Sequence, residues 1–235
     1  MRLDSYLVEN ALAETRNKAQ TLIKEGLVLV DDKEVTKSSF RVESGMPVMV
    51  KEHHQYVSRA AYKLKDFIDE INYDPTRKIA LDIGSSTGGF TQVLLEAGAK
   101  EVTCVDVGSE QLHHSLRDDA RVHVFENCDI RKFESNTQFD LIVSDVAFIS
   151  LLYILDDIER LGSKDIILLF KPQFEVGREV KRDKNGVVLD QKAIEDAMIR
   201  FKKACSLKGW TLQNKAPSKT TGKEGNLEYC YYFTK

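Results

Sequence analysis

The sequence predicts an α/β fold: a doubly wound, mostly parallel seven-stranded sheet with an antiparallel last strand, preceded by a small α+β domain. Three observations carry this. Strand-length apolar runs alternate with helical patterns from residue 79 onward, as in a parallel sheet covered by helices on both faces. Within that alternation, Ile79-Ala-Leu-Asp-Ile-Gly-Ser-Ser-Thr-Gly-Gly-Phe90 reads as strand, tight turn and helix, the place where open α/β sheets bind nucleotide-like ligands. Residues 1–52 have a separate rhythm, with two short helices and a small sheet.

In the N-terminal segment, Arg2-Leu-Asp-Ser-Tyr-Leu-Val predicts one short helix. A second begins after Ala13-Glu-Thr-Arg16, runs through Lys18-Ala-Gln-Thr-Leu-Ile-Lys24 and stops at Gly26, a favourable C-cap. Leu27-Val-Leu-Val30 pairs with a strand around Val35 across Asp31-Asp32-Lys33, a hairpin signal. Val48-Met-Val-Lys51, entered through Gly45-Met-Pro47, closes the small sheet. A core of about fifty residues is too small to be very stable alone.

Residues 53–57, opening with His53-His54-Gln55, read as a linker. Two adjacent histidines without a third nearby are loop residues rather than metal ligands, so no metal is expected. The α/β body then spans 58–235. Its first helix runs from Ser58 to about Ile71 and carries Arg59, Lys63 and Lys65. A strand near 79–83, a helix at 90–97, a strand at 101–106, a helix at 109–116 and strands at 122–125 and 139–144 follow. A helix near 150–160, a strand at 165–170, a helix at 190–208 and strands near 210–215 and 228–234 complete the set. The ending Glu228-Tyr-Cys-Tyr-Tyr-Phe-Thr leaves no room for another crossover helix, so it pairs as an antiparallel strand.

The glycine turn points to a particular ligand. A dinucleotide fingerprint spaces its glycines so that two phosphates rest on a helix N-terminus. Here the spacing is Gly84-x-x-x-Gly88-Gly89, with Asp82 two residues ahead of the first glycine. An acid there repels a pyrophosphate but can hydrogen-bond an ammonium group. Asp106 ends the second strand, where an acid holds ribose hydroxyls, and Asn127-Cys-Asp129 follows the third. This pattern suits S-adenosylmethionine better than a nicotinamide dinucleotide. Its expected contacts are Asp82, Gly84, Ser85, Ser86, Gly88, Gly89, Phe90, Asp106, Cys128, Asp129 and Asp145.

Four polar residues stand at or near element ends. Lys63 lies in Ser58-Arg-Ala-Ala-Tyr-Lys-Leu, Asp145 closes Phe139-Asp-Leu-Ile-Val-Ser-Asp, Lys171 closes Ile166-Ile-Leu-Leu-Phe-Lys, and Glu228 starts the last strand. The run Ile166–Phe170 is wholly apolar, so Lys171 emerges from a buried central strand, where desolvation favours a neutral amine.

Two resemblances sharpen these readings. The segment Arg2-Leu-Asp…Leu7, Thr15-Arg16…Ala19…Leu22-Ile-Lys-Glu-Gly26-Leu-Val-Leu-Val30, Val35-x-Lys37 and Val48-x-Val50 resembles the ribosomal-protein-type (S-four) RNA-binding domain of many RNA-modifying enzymes. That resemblance implies phosphate contacts by Arg2, Arg16, Lys18 and Lys24. The Lys63-Asp145-Lys171-Glu228 set resembles that of the FtsJ-type RNA ribose 2′-O-methyltransferases, which have a class I (Rossmann-like) methyltransferase domain. Asp82-x-Gly-x-Ser-Thr-Gly-Gly-Phe, Ser144-Asp-Val-Ala-Phe-Ile-Ser150 and the N-terminal domain together resemble the TlyA family. Its members, historically called haemolysins, methylate the 2′-hydroxyl of cytidines in ribosomal RNA.

The resemblance implies Lys171 as general base, Asp145 orienting it, and Lys63 and Glu228 positioning the hydroxyl. Arg59 and Arg182, the latter within the basic segment Arg178–Lys184, are further candidates for RNA contact. The N-terminal domain begins almost at Met1, and family members this short are expected to act on large-subunit RNA, with small-subunit RNA the alternative.

Composition is that of a folded protein: 235 residues, 42% hydrophobic and 30% charged, with a net charge of −3. The charge does not advertise a nucleic-acid binder, so that case rests on local basic residues. No run approaches the roughly eighteen apolar residues of a membrane span, and the start lacks the apolar core of a signal peptide. Cys104, Cys128, Cys205 and Cys230 lack metal-type spacing and read as reduced thiols, giving a cytoplasmic expectation. The rivals are a membrane-active haemolysin, which nothing physical supports, a non-catalytic RNA-binding ribosome factor, and a methyltransferase for proteins or small molecules. Partners are ribosomal RNA or its subunits, with no membrane; oligomeric state is not legible.

Overall fold

A computed structural model describes residues 1–24, 26–51 and 56–235. Internal contacts divide the chain into two units, Met1–Gln55 and Tyr56–Lys235. Of the expected linker, residues 53–55 lie outside the described residues.

The first unit has helices α1 (Leu3–Glu9) and α2 (Arg16–Lys24), then strands β1 (Val28–Val30), β2 (Lys33–Glu34) and β3 (Val48–Val50), in sheet order β2-β1-β3. The hairpin is tighter than the expected three-residue turn. Val30 pairs directly with Lys33, and Asp31 and Asp32 take φ of 49° and 60°, the two positive values of a type I′ turn. Leu3, Leu7, Ala19, Leu22, Ile23 and Val28 form its core.

In the second unit, α3 (Ala60–Glu70) leads into β4 (Ile79–Ile83), α4 (Gly89–Glu96), β5 (Glu101–Val105), α5 (His114–Arg117), β6 (Val122–Phe125) and β7 (Phe139–Ser144). Then come α6 (Leu155–Leu161), β8 (Gly162–Phe170), α7 (Pro172–Glu175), α8 (Gln191–Leu207), β9 (Thr211–Pro217) and β10 (Tyr229–Thr234). The seven strands lie in order β6-β5-β4-β7-β8-β10-β9. All pairings up to β8 are parallel, and β10 runs antiparallel between β8 and β9. Residues facing alternate sides of β8, such as Ile166 and Ile167, enter two separate apolar clusters. Those clusters are the two faces of a doubly wound sheet. The chain leaves β4 toward β5 and β6, then returns to β4's other side as β7, so a crevice opens above β4 where the winding reverses.

Three elements depart from expectation. The helix expected at 109–116 shrinks to α5. The backbone N–H groups of Glu110, Gln111 and Leu112 instead donate to the Glu126 carboxylate at 2.7–3.0 Å, which supplies acceptors that a helix would otherwise provide. The helix expected at 150–160 is a 3₁₀ turn at Leu151–Tyr153 followed by α6. The short α7, begun by Pro172 at its first position, was not anticipated.

Candidate active site

The crevice is built on the turn after β4. Asp82 is fully buried, and its Oδ2 accepts a hydrogen bond from Thr91 Oγ1 at 2.7 Å. Its Oδ1 is buried with no hydrogen-bond partner among the described residues. Burial pushes this carboxyl up to about 7, because a low-dielectric site disfavours the charged form. Gly84 (φ 77°) and Gly88 (φ 94°) adopt left-handed backbone, which suits glycine. A Cβ on Gly84 would sit 3.1 Å from the Val146 backbone, so the turn after β4 and the loop after β7 approach closely only because this residue is glycine.

Asp106, just past β5, ties the turn in place. Its Oδ2 accepts from Ser86 N at 2.8 Å and its Oδ1 from Gly108 N at 2.7 Å. Asp129 caps the 3₁₀ turn Ile130–Lys132 and pairs with the Arg131 guanidinium, which holds its carboxyl down at about 2.

Two adjoining cavities result. The larger, about 570 Å³, is lined by Gly84, Ser86, Asp106, Cys128, Asp129, Asp145 and Phe148 among others. The smaller, about 230 Å³, is lined by Asp82, Gly84, Ser85, Ser86, Gly89, Phe90, Asp145 and Lys171. Every expected cofactor contact therefore faces a cavity except Gly88. A Cβ on Gly88 would point at the Leu112 and Leu116 side chains, so this glycine serves packing.

Beside the smaller cavity the four polar residues converge. Lys63 Nζ lies 2.6 Å from Glu228 Oε2, an ion pair with both partners buried. Lys171 Nζ lies 2.5 Å from Asp145 Oδ1 and also donates to the Asp145 carbonyl at 3.2 Å. Burial raises the Asp145 carboxyl, with Lys171 opposing. A fifth residue, missed in the sequence, joins them: Gln173 Nε2 donates to Glu228 Oε1 at 3.0 Å. Only its position two residues after Lys171 could have flagged it.

The basic candidates divide. Arg2 and Arg16 both donate to the buried Asp4 carboxylate, while Lys24 is exposed and Lys18 half-buried. Exposed Arg59 reaches the Thr221 carbonyl at 3.2 Å. Arg182, the other candidate RNA contact, donates from its guanidinium to the carbonyls of Gln173, Gly177, Arg178 and Val180. It braces the loop after α7. All four cysteines are free, and no three-membered group of potential metal ligands occurs among the described residues. Nor is any described helix long and apolar enough to cross a membrane.

The strand order, the glycine turn over a buried acid and the cavity pair define a class I methyltransferase domain. Comparison with known proteins carries this further. Residues 56–235 match the FtsJ-like methyltransferase family and residues 1–48 match the S4 domain. A Campylobacter jejuni protein named 23S rRNA (cytidine-2′-O)-methyltransferase TlyA is 46% identical over the full length of both chains. A Mycobacterium tuberculosis protein named 16S/23S rRNA (cytidine-2′-O)-methyltransferase TlyA is 35% identical over 97% of this chain and 87% of its own. A solved structure from Streptococcus thermophilus superposes with a TM-score of 0.75 at 32% identity, covering 100% of this chain and 88% of its own. The chain belongs to the FtsJ-like methyltransferase family and, within it, to the TlyA proteins.

Proposed function

We propose that this protein transfers a methyl group from S-adenosylmethionine to the ribose 2′-oxygen of a cytidine in ribosomal RNA, in the cytoplasm, with the large subunit as substrate. One observation carries the reading. Lys63, Asp145, Lys171 and Glu228 come from α3 and the ends of three strands, yet interlock as two ion pairs beside the two adjoining cavities. The Campylobacter jejuni relative, named for 23S RNA, supports the large subunit. The S4 match at residues 1–48 supports an RNA-binding role for the first unit.

The residues present fit the cofactor. The unpartnered Asp82 Oδ1 offers an acceptor to the ammonium of a methionine moiety. Asp106, just past the end of β5, lines the larger cavity, where it could hold ribose hydroxyls. When bound, S-adenosylmethionine supplies an electrophilic methyl on a sulfonium.

Lys171 takes the proton of the 2′-hydroxyl as that oxygen gains the methyl. It must do so as a neutral amine. Asp145, paired with Lys171 at 2.5 Å, orients that amine toward the hydroxyl. Glu228, fixed by Lys63 and Gln173, orients the hydroxyl, and holding the reacting atoms in line supplies much of the rate. A target within an RNA helix must be turned out of its stack, which costs about a few kcal/mol.

The test is transfer of labelled methyl from S-adenosylmethionine to purified subunits, with wild type and Lys171→Ala. Label that protects one RNA position in the large subunit from alkaline cleavage, and disappears in the variant, is expected. Label confined to the small subunit would overturn the subunit assignment. No label in either RNA would overturn the reading itself.

A further inference from the structure

Gln173 is half-buried beside the polar centre, and its side-chain amide makes one hydrogen bond among the described residues. Its Nε2 donates to Glu228 Oε1 while Lys63 holds Oε2, so the carboxylate is gripped by a separate donor on each oxygen. This fixes which way the amide faces, because the reverse orientation would set one acceptor against another. The amide oxygen is thereby aimed away from Glu228. It is buried and has no donor among the described residues. A buried acceptor without a partner is disfavoured and calls for an explanation.

The surroundings keep Gln173 in this pose. Pro172 starts α7 with a preset φ, Phe174 N donates to the Lys171 carbonyl at 2.9 Å, and Arg182 Nη2 donates to the Gln173 carbonyl at 3.2 Å. The backbone is thus tied on both sides of the residue. Lys171 and Asp145 line the smaller cavity, whereas Gln173 lines neither cavity. Its orphan oxygen therefore lies beside Glu228 and outside both cavities that would hold the methyl donor.

We propose that Gln173 is a substrate-positioning residue: its N–H orients Glu228, and its Oε1 accepts a hydrogen bond from an O–H or N–H donor of the target nucleotide. This rests on the ribose-methylation reading above. A cytidine carries two such donors, the ribose hydroxyl and the exocyclic amine of the base, and both can be tested separately.

Two variants test the proposal in the full-length protein. Gln173→Met keeps length and removes both hydrogen bonds. It is expected to bind S-adenosylhomocysteine as wild type does, by calorimetry, while single-turnover methyl transfer to subunits falls on the order of 100-fold. Gln173→Glu places a second carboxyl against Glu228, among Lys63, Lys171 and Asp145. The two carboxyls can share one proton, so this variant is expected to approach wild-type rates at acid pH and to lose activity progressively as pH rises. A purely structural role would not produce that limb.

Replacing the target cytidine by uridine in the RNA separates the two donors. A penalty for Gln173→Met that persists on uridine assigns the ribose hydroxyl; one that vanishes assigns the amine. Transfer by Gln173→Met within twofold of wild type, or a wild-type pH profile for Gln173→Glu, would overturn the proposal while leaving ribose methylation standing. Absence of transfer by the wild-type protein would instead remove the reading on which it rests.

Discussion

Lys63 on α3 and Glu228 at the start of β10, 165 residues apart in the chain, form a buried ion pair of 2.6 Å. The β10 ladder explains how Glu228 arrives there. Tyr229 pairs with Phe170, so the next step of the antiparallel register brings Glu228 level with Lys171. The strand ends thus place a carboxylate beside each of the two lysines. Removing one partner of a buried pair leaves an uncompensated charge, at a cost of about 3–5 kcal/mol. Glu228→Ala is expected to lower the denaturant midpoint accordingly, and Lys63→Met to do much the same. The double variant Lys63→Met/Glu228→Leu is expected to recover most of that stability while remaining inactive. Unfolding curves beside methyl-transfer assays check this; a double variant no more stable than the singles would show that the pair is not the source of the loss.

Gly222 guards the same carboxylate. A Cβ there would lie 2.6 Å from Glu228 Oε1, so Gly222→Ala must push the carboxylate off the Lys63 and Gln173 donors. Displacements on the ångström scale cost on the order of 100-fold in rate. The expected result is a fall of that size in methyl transfer with unchanged binding of S-adenosylhomocysteine, since Gly222 lines neither cavity. Weakened cofactor binding in this variant would place its effect elsewhere.

What the sequence made legible was whatever local chemistry decides. The acid-glycine turn could be read because a strand end, an acid and glycines at close spacing have few alternative uses, and Asp82 does lie beneath the cavity. The four polar residues could be placed at element ends because apolar runs stop there. Long-range contacts were not legible. Glu126, lying 14 to 16 residues beyond the amides it receives, unwinds the helix expected at 109–116. For Arg182, a guanidinium in a basic run carries no sign that four backbone carbonyls will accept from it. Gln173 has no composition signal at all; its role emerges only when β10 carries Glu228 to it.

If Asp82 holds the cofactor's ammonium as proposed, cofactor binding is expected to depend on pH. Its carboxyl stands at about 7 under burial, with Asp145 and Asp106 adding to the rise and Thr91 opposing it. Only the ionised form can pair with an ammonium, so affinity for S-adenosylhomocysteine should tighten as pH rises toward and through 7, by up to about tenfold per unit below it. Without cofactor the sign for folding is opposite. The native state holds a proton there that the unfolded chain has already lost, so this group lowers stability as pH rises from the usual carboxylate range to about 7. Calorimetry between about pH 6 and about pH 8, in buffers of different ionisation enthalpy, should register proton release on binding. Asp82→Asn should bind weakly with a flat profile; a flat profile in wild type would show that Asp82 is already ionised.

Asp4 organises the cations of the first unit. Its buried carboxylate accepts from Arg2 Nε and Nη2, Arg16 Nε and Gln20 Nε2, all at 3.0–3.1 Å. The Arg2 guanidinium is the main reason its carboxyl is held well below the usual range. A carboxyl shifted down adds stability at neutral pH, which is lost progressively as pH falls through the usual carboxylate range and below it. Each guanidinium has five N–H donors, so those not spent on Asp4 stay available to phosphates in a fixed array. Arg16→Ala is therefore expected to weaken subunit binding at low salt and to reduce the salt-dependence slope by about one. Asp4→Asn keeps both arginines but releases them, so it should weaken binding with little change in slope and lower the stability of the first unit. Filter binding over a salt series distinguishes the two effects. A slope unaffected by Arg16→Ala would remove this residue from the phosphate contacts.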